Sequence, residues 1–197
     1  MSQKFQNKYR ISSARLQNWD YGANGAYFIT ICTQNREHFF GEIVETQFIA
    51  SELGILAEKF WLEIPEHFPY VELGNFVIMP NHVHGILIID KNASVSECEF
   101  VVETRLIASL PMPIPETTNK TGGFAGNKTP MLQDNISRII RWYKGRCSFE
   151  MRKMHADFGW QSRFHDHIIR NEKSFETIQN YIEKNPMNWN EDKFCGK

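Results

Sequence analysis

The sequence predicts an α+β protein, built as a mainly antiparallel β-sheet with helices packed on one face. Short runs rich in β-branched and aromatic residues alternate with stretches whose apolar positions recur every 3.6 residues. The resulting order is strand, strand, helix, strand, strand, helix, strand, helix. Loops between neighbouring strands are too short for parallel crossovers everywhere, so antiparallel pairing dominates.

Gly25 to Gln34 and Gly41 to Ile49 read as the first two strands. Ser51 then caps a helix whose seam is Leu53, Leu56, Ala57, Phe60, Trp61 and Ile64, and Pro65 and Pro69 bracket its end. Tyr70 to Ile89 forms two strand runs broken at Met79-Pro80-Asn81. From 91 to 130 periodicity is lost and Asn, Ser, Thr, Pro and Gly accumulate, which reads as an inserted flexible loop within a single domain spanning 1–197. Leu132, Ile136, Ile139, Ile140, Tyr143 and Cys147 mark the next helix. Arg163 to Ile169 is a further strand, and a last helix runs from about Ser174 to Lys184, stopping because Asn185 precedes Pro186.

Composition sets the bounds. At 197 residues, 42% hydrophobic and 13% aromatic, the chain can bury a core. No apolar run is long enough to span a bilayer, and the polar N-terminus lacks a signal-peptide core, so a cytoplasmic protein is expected. Cys32, Cys98, Cys147 and Cys195 are far apart and form no Cys-x-x-Cys pair, which argues for reduced structural thiols. The net charge of −1 hides local bias. Between Asn135 and Lys153 six basic residues face one acid, Glu150, and residues 1–18 form a basic arm with Lys4, Lys8, Arg10 and Arg15. Such stripes suffice for phosphate binding, although a solvated helix face explains the first of them equally well when it is taken alone.

The chemistry concentrates in Pro80-Asn81-His82-Val83-His84-Gly85. A strand alternates faces, so His82 and His84 point the same way, roughly 7 Å apart along the chain. Two neutral imidazoles side by side make half of a metal site, or simply two packed rings. In the last helix Tyr181 and Asn185 are four residues apart and share a face, with Tyr181 at the edge of the Phe175, Ile178 and Ile182 seam.

Pro-Asn-His-Val-His-Gly followed about a hundred residues later by Tyr181-Ile182-x-x-Asn185-Pro186 resembles the single-tyrosine HUH transposases, and within them the REP-associated tyrosine transposases. The resemblance extends through Trp19 to Tyr21, Gly25 to Thr33, Phe40 to Ile43, Phe76 to Leu87, Trp160-Gln161 and Asp166 to Arg170. It covers roughly 10–90 and 130–190.

That resemblance implies a ferredoxin-like domain with His82 and His84 on a middle strand and Tyr181 on a helix laid against the same face. It implies that His82, His84 and Asn185 bind a divalent metal, Mg²⁺ or Mn²⁺, with manganese the better match to imidazole. It also implies that Tyr181 cuts and rejoins single-stranded or hairpin DNA through a 5′-phosphotyrosyl link, with no membrane partner and as a monomer. Arg138, Arg141, Trp142 and Lys144 of the basic helix, with Arg170, are the expected DNA contacts. His165 and His167 read either as metal or phosphate contacts or as a hydrogen-bonded pair supporting the sheet. Gly85 is expected to let DNA or the tyrosine helix approach, or to serve turn geometry. Two other functions fit the residues. One is a phosphodiesterase in which water attacks at a metal held by His82, His84, His165 and His167. The other is a hairpin-binding protein that does not cut.

Overall fold

The structure, a computed structural model, describes residues 19–92 and 134–195. The expected basic arm and almost all of the expected loop at 91–130 lie outside the described residues. Among the described residues six strands and four α-helices follow one another as β1 (Gly25–Cys32), β2 (Gly41–Val44), β3 (Gln47–Ala50), α1 (Glu52–Leu62), α2 (Ile64–His67), β4 (Val71–Met79), β5 (His82–Ile89), α3 (Ile136–Met151), β6 (His165–Ile169) and α4 (Glu172–Lys184).

The main sheet has the order β4-β5-β1-β6, and every neighbouring pair is antiparallel. Together with the chain order β1-α1-β4-β5-α3-β6 this is the ferredoxin-like arrangement, so the expected fold class holds. β5 lies between β4 and β1, and therefore carries the His-Val-His run on an interior strand.

Strand alternation divides the core into two. Tyr27, Ile29, Ile31, Val83 and Leu87 face α1 and α3, meeting Trp61, Ile139, Ile140 and Tyr143. Ile86 and Phe28 face α4, meeting Phe175, Ile178 and Ile182. The helices therefore cover both faces of the sheet and not one. The addition to the six-element frame is α4, and it is the tyrosine helix.

Local chemistry explains most boundaries. The Ser51 hydroxyl accepts from the Gly54 N–H at 3.1 Å and donates to the Phe39 carbonyl at 2.7 Å, which caps α1 and ties it to the preceding loop. Asn171 caps α4 by accepting from the Ser174 N–H, so that helix starts two residues before the expected Ser174. The expected strand from Gly41 to Ile49 is instead a hairpin, β2 paired with β3 as a separate two-stranded sheet. Its turn rests on Glu45 at φ 59°, a left-handed conformation that carries no glycine to announce it.

Gly85 serves packing on the face away from α4. A Cβ there would lie 2.3 Å from the indole of the fully buried Trp61. That indole packs edge-on against Tyr143, whose hydroxyl donates to the Ala57 carbonyl and locks α3 to α1. The expected role of Gly85 in admitting DNA or the tyrosine helix is therefore replaced by room for Trp61. Gly85→Ala should destabilise the fold by about 1–3 kcal/mol through overpacking, read as a lower urea midpoint at an unchanged m-value.

Candidate active site

β4 and β5 are joined by the two-residue turn Pro80–Asn81, with Met79 opposite His82. The Asn81 side chain, fully buried, organises this turn. Its amide nitrogen donates to the carbonyls of Arg36 at 3.1 Å and Phe194 at 2.8 Å. Carbonyls only accept, so the amide oxygen must be the atom facing His82 Nδ1 at 2.8 Å. That oxygen also only accepts, which puts the proton on His82 Nδ1 and leaves a lone pair on Nε2. His82 Nε2 is buried and has no hydrogen-bond partner.

His84 follows on the same face, its ring centroid 4.4 Å from that of His82. Its Nδ1 meets the Thr30 hydroxyl at 2.8 Å, and its Nε2 meets the Tyr181 hydroxyl at 3.2 Å. Phe28 stacks on the imidazole at 5.2 Å and meets the Tyr181 ring edge-on at 6.1 Å. Burial is the main force on both histidines. It pushes His82 down to about 3, helped by Arg36 and Lys193, and holds His84 well below the ordinary range, with His82 as the next cause. Both rings are therefore neutral at pH 7 and offer lone pairs.

The α4 helix delivers the other groups as the sequence spacing predicts. Tyr181 is 40% exposed and Asn185 is 2% exposed, so the phenol opens to solvent while the amide is enclosed. The Asn185 Nδ2 donates to Asp192 Oδ2 at 3.0 Å, and its Oδ1 is buried without a partner.

Asp192 went unseen in the sequence. The chain passes Pro186, makes a 3₁₀ turn at Trp189–Glu191 and folds back over the histidines. Asp192 Oδ2 lies 3.4 Å from the Tyr181 hydroxyl, and Oδ1 accepts from the Phe194 N–H at 2.7 Å. Phe194 packs on His82 at 4.7 Å and is covered in turn by the Arg36 guanidinium at 5.3 Å. The only sequence signal was an acidic pair, Glu191-Asp192, soon after a helix-ending proline. Burial and then the Asp192 charge push the Tyr181 phenol up to about 12.

The donor set fits a metal. His82, His84 and Asp192 offer ligand atoms that all lie within 4.8 Å of one another, the one such group among the described residues. Two buried acceptors lack donors: His82 Nε2, on a member of this group, and Asn185 Oδ1, on the side chain that donates to Asp192. Nitrogen and oxygen donors from imidazole, amide and carboxylate suit a divalent first-row ion. The site opens into a cleft of about 1240 Å³ bordered by Phe28, Arg36, Phe164, His165 and Lys193.

The remaining expected residues fall elsewhere. Arg138, Arg141 and Trp142 stand on α3, which packs on the sheet face opposite Tyr181. Arg138 pairs with Asp134, Trp142 packs on His67 at 4.1 Å, and Arg141 borders the same hollow. Lys144 reaches the cleft wall by donating to the Gln161 carbonyl. Arg170 lies over the Trp19 ring at 6.0 Å. His165 and His167 are exposed on β6 and stand outside the ligand group, so the four-histidine metal set does not assemble.

No model of a known protein family matches the chain. An uncharacterized protein of Haemophilus influenzae is 35% identical over 181 residues, covering 91% of this chain and 90% of that protein. Among solved structures, a REP-associated tyrosine transposase bound to a REP hairpin aligns with a TM-score of 0.55 at 17% identity, over 92% of this chain and 77% of the other. The chain therefore belongs to one family with the Haemophilus influenzae protein, and it carries the fold of the REP-associated tyrosine transposases that its motifs resemble.

Proposed function

We propose that this chain is a transposase-like enzyme that cuts and rejoins hairpin-associated single-stranded DNA through Tyr181. One observation carries the reading most of the way. A solvent-open phenol sits 3.2 Å from His84 Nε2, beside two buried acceptors that lack donors. A packing tyrosine requires neither orphan, and a hydrolytic site requires no phenol. The solved transposase of the same fold is bound to a hairpin, which supports DNA as the partner here.

His82, His84 and Asn185, with Asp192 beside them, would hold the divalent ion, Mg²⁺ or Mn²⁺. When bound, such an ion neutralises charge on the scissile phosphate and favours the ionised phenol. The protein's own groups do the rest. Tyr181 Oη attacks phosphorus in line, the Oη–P bond forms, and the bond to the 3′ oxygen breaks. The products are a 5′-phosphotyrosyl link and a free 3′-hydroxyl. Asp192 Oδ2 is the acceptor placed to take the phenolic proton, and the departing 3′ oxygen is protonated from solvent. Attack by a 3′-hydroxyl on the link reverses these steps and reseals the strand. One phosphoester replaces another, so no nucleotide triphosphate is needed. The sequence accordingly holds no Gly-x-x-x-x-Gly-Lys-[Ser/Thr] phosphate loop. The α3 stripe of Arg138 and Arg141 would hold DNA on the far side of the sheet, away from the cut. The enzyme is read as a cytoplasmic monomer, and among the described residues no helix is long and apolar enough to cross a membrane.

The test is incubation with hairpin-bearing single-stranded DNA and Mn²⁺, followed by a denaturing gel. The expected result is a slow-migrating covalent species that vanishes in EDTA. Cleavage without an adduct would assign a hydrolase, and binding without cleavage a hairpin-binding protein.

A further inference from the structure

The strand register ties the exposed β6 histidines to the catalytic face. Thr30 pairs with His84 on one side and His165 on the other, and Phe28 pairs likewise with Ile86 and His167. Directly paired residues project to the same side of a sheet, so His165 and His167 point toward the face that carries Tyr181. His165 stands two strand spacings from His84, about 10 Å. Neither β6 ring makes a hydrogen bond, ion pair or ring contact among the described residues, so they are not the pair supporting the sheet that the sequence allowed. Two imidazoles sit on an edge strand, open to solvent, with no partner among the described residues.

The surface between β6 and α4 gives them a context. A hollow of about 480 Å³ is bordered by Phe28, His165 and His167 on the sheet side and by Lys173, Ser174 and Thr177 on the helix side. Phe28 and His165 also border the active-site cleft, so hollow and cleft adjoin at these two side chains and together outline a groove. The groove follows α4 from Tyr181 back to Lys173, eight residues and about 12 Å. At a stacked rise of about 3.4 Å, that length takes about three nucleotides.

Resting on the reading of the site as a single-strand transesterase, we infer that this groove is a lane for the unpaired nucleotides beside the scissile phosphate. His165 and His167 stack on bases or donate to phosphates there, and Phe28 provides the inner platform. Unpaired bases offer open faces to such rings, and the contact tolerates any sequence. The lane leaves the face of α3 for other parts of the DNA. His165 and His167 act as positioning residues: they hold the strand and take no part in bond exchange.

The test compares the full chain with the double variant His165→Ala/His167→Ala in EDTA, so that no cutting occurs. The first measurement is fluorescence anisotropy on a labelled oligothymidylate of about 12 nucleotides. The second is photocrosslinking of an iodouracil-substituted copy of that oligonucleotide, with the linked peptides mapped by mass spectrometry. Affinity should fall about tenfold in the variant with an unchanged melting temperature, because both side chains are exposed. Crosslinks in the wild-type chain should fall on Phe28 and residues 163–170. Equal affinity of the two proteins, or crosslinks confined to Trp142 and Phe149 on α3, would overturn the lane and leave the transesterase reading intact. Failure of the wild-type chain to bind single strands at all would overturn both.

Discussion

Tyr181→Phe abolishes the covalent DNA adduct and lowers strand cleavage by at least about 10⁴-fold, the scale on which an enzyme loses its nucleophile. The variant keeps its fold. The Tyr181 ring meets Phe28 edge-on at 6.1 Å, and a phenylalanine ring preserves that contact. What is lost is one hydroxyl that donates to His84 Nε2 or Asp192 Oδ2, a change of about 1 kcal/mol in a half-open position. DNA binding should therefore persist while chemistry disappears. A hydrolase using the same metal group would respond in the opposite way, continuing to cleave without the phenol. Asp192→Asn separates a third role. It keeps an amide oxygen beside the phenol but removes both the proton acceptor and the anionic member of the metal group, so at saturating Mn²⁺ cleavage should slow by about 10²–10⁴-fold while DNA binding in EDTA is unchanged. Single-turnover gels resolve the three outcomes.

Acid should unfold this protein through its own active site. His82 is fully buried and burial pushes its pKa down to about 3, while His84 is held well below its ordinary range. In the unfolded chain both titrate near 6.5. Above that pH neither state binds the extra proton, and the two histidines exert no pH dependence. As pH falls below 6.5 the unfolded chain takes up protons that the folded chain refuses, so stability falls by about 1.4 kcal/mol per pH unit for His82, with His84 acting in the same direction. From pH 6.5 to 4.5 His82 alone costs about 2 kcal/mol, and His84 adds to it in the same direction, against the 5–15 kcal/mol typical of a domain. Urea titrations in EDTA at pH 7, 5.5 and 4.5 measure it. His82→Gln should flatten the slope, because it removes one titrating ring and relieves the charge that also depresses His84. Parallel slopes for the two proteins would contradict the burial argument. Mn²⁺ at 100 times its dissociation constant should restore about 2.7 kcal/mol at neutral pH and less in acid, where protons compete for the same lone pairs.

The parts of this site that were legible in the sequence are those set by local geometry. The period of a strand put His82 and His84 on one face, and the turn of a helix put Tyr181 and Asn185 on another. Both pairings survive because they depend on backbone spacing alone. Asp192, the face of α3 and the role of Gly85 depend instead on tertiary pairing, and the β2–β3 turn on one unannounced backbone conformation. Asp192 reaches the site only after the chain reverses beyond Pro186, with Arg36 and Asn81 fastening the returning segment through the Lys193 and Phe194 carbonyls. No local pattern encodes that reversal. The face chosen by α3 is equally nonlocal: its apolar seam was clear, yet nothing in the seam told which side of the sheet it would cover. The β2–β3 turn escaped because Glu45 takes a left-handed conformation without glycine or asparagine. Gly85 was assigned to the wrong face, since its neighbour Trp61 is 24 residues earlier in the chain.

As the nucleophile, Tyr181 itself becomes joined to DNA, and the linked residue can be identified. The wild-type chain is incubated with hairpin-bearing single-stranded DNA and Mn²⁺, denatured, digested with nuclease and protease, and analysed by mass spectrometry. The expected product is a nucleotide on the peptide that contains Tyr181, its 5′ phosphate attached through the phenolic oxygen. Cleaved DNA with unmodified Tyr181, or a nucleotide attached to any other residue, would contradict it.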